Sequence, residues 1–136
     1  MISPILTVKD VDAAVKFYTE NLNFKHDFSM AGPDGSNVFA FVSLGDNAIG
    51  ISKEDLDVKC GVGVVFMVYV PDDIDAYYQA VQDNGTAIAA PIKDEYWGDR
   101  IFSVVDMDGY YLTFAKTVKQ ADMQEIADIM RVSGTS

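Results

Sequence analysis

One cysteine, one histidine and one tryptophan stand among the 136 residues, and basic side chains are scarce: 10 Lys and Arg against 21 Asp and Glu, a formal charge of −11. These shortages exclude whole classes of chemistry. Cys60 has no second thiol for an internal disulfide, which agrees with a reducing compartment. His26 is the sole imidazole, and no partner stands at a recognisable spacing, so motif and spacing offer neither a Ser-His-Asp triad nor a Cys-His pair. The acidic balance, with no Lys/Arg cluster to offset it, repels phosphate backbones, and nucleic acid is not an expected partner. The longest apolar stretch, Val62 to Val70, falls far short of the roughly 20 residues a helix needs to cross a bilayer. Met1 to Pro4 shows no basic segment leading into an apolar one, so the expected location is the cytoplasm, away from any membrane.

What the chain does have is a core's worth of apolar side chains. They make up 49% of it, charged residues 23%, and a chain this long can bury roughly two-thirds of its exposable surface as one domain. An approximate internal repeat organises it. Asp10-Val11-Asp12-Ala13 recurs as Asp73-Ile74-Asp75-Ala76. Each copy follows a β-like segment, Ile5 to Val8 or Val62 to Val70, and opens a helix with an aspartate suited to capping its first turn. Val11, Ala14, Tyr18 and Leu22 then keep helical spacing, as do Ile74, Tyr77, Tyr78 and Val81, until Asn21 and Asn84-Gly85 end the helices. Strands are expected at Val38 to Leu44 and Ala48 to Ser52, and again at Arg100 to Val105 and Tyr110 to Ala115. Asp106-Met107-Asp108-Gly109 forms the later turn, and Gly32-Pro33-Asp34-Gly35 a hairpin or loop.

The order fits an α+β fold: two tandem βαβββ modules, about 1–56 and 57–118, forming a curved mixed sheet around a cavity. Ser52 to Cys60 reads as the linker. Residues 119–136 add a C-terminal helix and a frayed tail. Its stripe of Met123, Ile126, Ala127 and Met130 packs most simply on its own domain, with a partner subunit as the alternative.

Two segments, Leu6 to Tyr18 and Trp97 to Gly109, carry a family resemblance over about residues 4 to 116. The second is similar to the Trp-Gly-x-Arg-x-Phe-x-x-x-Asp-x-Asp-Gly pattern of bleomycin-resistance-like proteins. The chain thus resembles the vicinal oxygen chelate superfamily, which includes glyoxalase I, extradiol dioxygenases and fosfomycin-resistance enzymes. Metal-dependent relatives place one His, Gln or Glu on each of four matching strands. By that resemblance the positions fall at about Ser3, Ile51, Val65 and Thr113, none of which is a good ligand for zinc, nickel or iron.

The resemblance therefore implies no metal, no cofactor and no catalytic residue. It implies a non-catalytic protein that binds a small molecule, an antibiotic or another planar compound, cationic in keeping with the charge. The alternative is a metal-dependent lyase, isomerase or dioxygenase with non-standard ligands. Bleomycin-resistance relatives are homodimers, often with an exchanged N-terminal strand, and Pro4 stands where such a hinge could lie. The candidate ligand contacts are Phe39, Phe41, Met67, Tyr69, Trp97 and Arg100. Alternation places Phe39 with Phe41 and Met67 with Tyr69, but leaves open which face turns inward. Trp97 resembles the loop tryptophan of the bleomycin-resistance group and could stack on a flat ligand. Arg100 could hold an anionic or carbonyl group, or simply pair with Asp99 or Asp106.

Overall fold

Aspartates open both long helices as the repeat predicts. The computed structural model describes residues 3–54, 60–119 and 122–133. In it Asp10 accepts the Ala13 N–H at 3.0 Å, and Asp73 accepts that of Asp75 at 2.9 Å. The first helix, α1, runs Val11–Lys16 and continues as a π-helical turn, Phe17–Asn21. Through that change Val11, Ala14, Tyr18 and Leu22 all stay buried, because the apolar positions still face one side. Asn23, at φ 58°, takes the left-handed conformation that turns the chain away. The second helix, α2, spans Ile74–Asp83 and buries Ile74 and Val81.

Eight strands surround these helices: β1 (Ile5–Val8), β2 (Lys25–Ala31), β3 (Asn37–Leu44), β4 (Asn47–Lys53), β5 (Val65–Tyr69), β6 (Ala90–Asp94), β7 (Asp99–Val105) and β8 (Tyr111–Thr117). They form two four-stranded mixed sheets, ordered β1-β4-β3-β2 and β5-β8-β7-β6, one from each half of the chain, as the α+β two-module reading expects. In each, the first strand lies parallel to the last and the other pairings are antiparallel. The expected strand at Val62 begins only at Val65, since Gly61 and Gly63 hold positive φ angles of 71° and 79° that a strand cannot contain. The linker expected at Ser52 to Cys60 starts later, Ser52 and Lys53 belonging to β4; residues 55–59 lie outside those described.

Alternation separates two faces on each sheet. Leu6, Val8, Ala40, Val42, Ile49 and Ile51 point to the helices in the first sheet, and Val68, Phe102, Val104, Leu112 and Phe114 do so in the second; all are buried. One continuous core results, with Phe102 stacked on Phe114 at 5.2 Å between ring centres. Polar side chains tie the modules together. Tyr18 Oη donates to Asp106 Oδ2 at 2.7 Å, and the Tyr110 hydroxyl both donates to the Thr7 carbonyl and accepts its N–H. Asp106 and Asp108 make the expected turn before Gly109, and Asp108 also accepts the Lys9 N–H.

The C-terminal helix, α3, covers Met123–Ser133. Of its stripe, Ala127 and Met130 are exposed in the single chain, Met130 by 56%, and the side chains of Met123 and Ile126 lie outside those described. The core face of β8 is already filled, with Phe114 against Phe24, Tyr77 and Phe102. No helix is long and apolar enough to cross a membrane among the described residues.

Candidate functional site

The sheet faces turned away from the helices carry side chains that a core would normally claim. On the first sheet, register aligns Ile5, Gly50, Phe41 and Phe28 in one row and Thr7, Ser52, Phe39 and Met30 in the next. Phe28, Phe39 and Phe41 form a ring cluster with centres 5.1 to 6.3 Å apart. Gly50 makes room for it: a Cβ there would meet Ile5 at 3.1 Å, Phe39 at 3.3 Å and Phe41 at 3.4 Å. The outward direction of Phe39 and Phe41, which alternation left open, is thus the face opposite the helices.

Met67 and Tyr69 occupy the corresponding face of the second sheet, 48% and 47% exposed beside the still more exposed Val65. Two polar groups interrupt this face. Ser103 and Thr113 share a buried hydroxyl–hydroxyl hydrogen bond of 3.0 Å in the same row as Met67. Farther along, Asp99 Oδ2 accepts both Tyr69 Oη at 2.7 Å and Trp97 Nε1 at 3.0 Å, while Oδ1 accepts Thr117 Oγ1 at 2.9 Å. Burial opposes ionisation of Asp99, but the three hydrogen bonds outweigh it and hold the carboxyl below its usual range. The same bond, helped by burial, raises the Tyr69 phenol.

Trp97 lies in the tight turn that precedes β7, closed by Gly98 N–H to the Glu95 carbonyl and by Glu95 N–H to that of Asp99. Its ring stands edge-on to Tyr96. Trp97, Tyr69 and Met67 are therefore brought to one face, and Phe39 with Phe41 to the other sheet's equivalent. Arg100 is not brought there. One step along β7 from Asp99, it faces the helix side, where it pairs with Asp94 and with Asp75 of α2 at 2.7 Å; both differ from the Asp99 and Asp106 partners foreseen. Asp99 itself was missed as a site residue. Its signal was parity: every second residue of Asp99–Val105 shares a face.

Between the sheets a cleft of about 230 Å³ runs from Ser3, Pro4 and Asn47 to Met67, with Asn47 Nδ2 donating to the Tyr69 carbonyl across it. The metal positions implied by resemblance do not all converge. Ser3, Val65 and Thr113 have open-face parity, whereas Ile51 is fully buried on the helix side, leaving Gly50 or Ser52 on the open face. Neither an aliphatic side chain nor a neutral hydroxyl suits a divalent transition metal, so the donor set does not fit one. Burial and the Glu54 carboxylate raise the Cys60 thiol, and His26 Nε2 lies 2.6 Å from Ser29 Oγ on an exposed strand.

This arrangement of two βαβββ modules with open sheet faces has wide precedent. The model of the Glyoxalase/Bleomycin resistance protein/Dioxygenase superfamily matches residues 2–114. The chain belongs to that superfamily. Among solved structures, TioX from Micromonospora sp. ML1 matches over 86% of this chain and 98% of its own, at 23% identity and a TM-score of 0.69. A glyoxalase-related enzyme from Clostridium phytofermentans gives 23% identity and a TM-score of 0.70, over 86% of this chain and 94% of its own. An uncharacterized protein of Mycobacterium bovis is 25% identical across 98% of this chain and 93% of its own length.

Proposed function

We propose that this superfamily member is a non-catalytic binding protein for a small planar cation, an antibiotic or a metabolite of that shape, working as a cytoplasmic homodimer. The observation that carries the reading is the aromatic and apolar surface turned outward on both sheets. Phe28 and Met30 on one and Val65, Met67 and Tyr69 on the other form an exposed apolar surface, with Phe39 and Phe41 half-buried beside Phe28. A partner copy and a ligand between the faces would remove it from water. The ring clusters favour flat molecules, their negative faces favour cations, and the net charge of −11 adds a weaker pull in the same direction.

Among the described residues no group of three or more His, Cys, Asp or Glu is placed to hold a metal, and the open faces carry rings and aliphatic side chains, for which enclosure is the chemistry we infer. A screen of bleomycin-like, mitomycin-like and other flat compounds by thermal shift and Trp97 fluorescence tests it. Saturable binding that raises the unfolding midpoint and persists in chelator is the expected result. Absence of binding across the screen, or binding abolished by chelator, would contradict it.

A further inference from the structure

Asp99 is 4% exposed, yet every group that holds it is neutral: a phenol, an indole and a hydroxyl. A carboxylate taken out of water is ordinarily balanced by a cation. Three basic groups among the described residues of this sheet are engaged elsewhere. Arg100 points to the opposite face and is taken by Asp94 and Asp75, Lys116 Nζ donates to the carbonyls of Val70 and Pro71, and Lys93 pairs with Glu95. The carboxyl nevertheless stays ionised, since its hydrogen bonds outweigh burial. Among the described residues no cation bonds this carboxylate, so its negative charge under the open face of the second sheet is held by neutral donors alone.

Two aromatic rings screen it from solvent and are fixed by it. Tyr69 Oη and Trp97 Nε1 converge on the same oxygen, Oδ2, and Tyr69 remains 47% exposed at the surface of that face. A cation over either ring meets the ring's negative face with the carboxylate held at the ring's hydrogen-bonding edge, close enough to add its own attraction. We propose that Asp99 is the specificity determinant of the binding face: it makes the Tyr69–Trp97 pair select a positively charged planar ligand over its neutral counterpart. This rests on the binding reading above and assigns its preference for a cation to one side chain.

Calorimetric titration with a near-isosteric pair, N-methylacridinium and acridine, in mildly alkaline buffer where acridine is uncharged, separates the two claims. The wild-type protein is expected to bind the cation about tenfold more tightly than the neutral probe. Asp99→Asn should bring the two within about twofold by weakening the cation alone, whereas Tyr69→Phe, which keeps ring and carboxylate, should retain the preference. Ile101→Lys, one row away on the same face, leaves every donor to Asp99 in place and sets an ammonium beside it. It too should erase the preference, so the proposal stays open to contradiction even where Asp99→Asn folds poorly. A tenfold preference surviving both Asp99→Asn and Ile101→Lys, or an equal loss of both probes in Asp99→Asn, would overturn the role of Asp99 while leaving binding intact. Failure of the wild-type protein to bind either probe would overturn both.

Discussion

At the scale of single residues, the account rests on which side of a strand a side chain occupies. Trp97, the sole tryptophan, is half-buried in the turn before β7, and its indole N–H is anchored on Asp99. If it stacks on ligand as proposed, Trp97→Ala should weaken binding by about 1–3 kcal/mol, the range for losing one aromatic contact and its buried area. The fold should survive, because the ring lies outside the core cluster. Titration and thermal unfolding of the same preparation check this; unchanged affinity in a folded protein would remove Trp97 from the site. The motif that singled out Trp97 also drew attention to Arg100, which pairs with Asp75 and Asp94 on the other face. A motif fixes the spacing of side chains, but the pleat sends neighbours to opposite faces, so Trp97 and Asp99 share a network while Arg100 is drawn to Asp75 on α2. The same rule accounts for Ile51, buried among core residues one step from Gly50 on the open face.

At the scale of elements, helices and central strands were legible because their apolar period is set by a core that both modules share. The two edge strands β2 and β6 were implied by the module pattern but could not be located. Lys25–Ala31 is interrupted by register shifts around His26–Phe28 and Met30–Ala31, and Ala90–Asp94 contains Pro91 beside another shift. Prolines and bulges are tolerated at sheet edges, where they erase the alternation that identifies a strand. Equally hidden were the ties between modules, since hydrogen bonds between residues 88 and 103 apart leave no local trace. Tyr18→Phe tests one of them. It leaves the ring in the core but strips a buried carboxylate oxygen of its donor, and should cost about 1–3 kcal/mol of stability, read from the urea midpoint at unchanged slope. A cost near zero would show that water replaces the phenol. The edge strand β5 tests the opposite face: Val65 is 66% exposed, so Val65→Asp should leave the unfolding midpoint of the isolated protomer unchanged while dissociating the proposed dimer in gel filtration. A dimer that persists would place the interface elsewhere.

At the scale of the whole molecule, a chain with a charge of −11 repels its own copies, yet it turns two apolar sheet faces outward. The proposed resolution is that association and ligand binding cover those faces together, so the faces that look unfinished in one protomer become the walls of a shared cavity. Sedimentation velocity on a mixture of the protein with a flat cationic compound from the screen, recorded at the compound's own absorbance, tests this most directly because mass and occupancy are read from one boundary. The account predicts that the compound co-sediments with a species of twice the 14.9 kDa of a single chain. A compound travelling with the single chain, or remaining unsedimented at saturating protein, would contradict it.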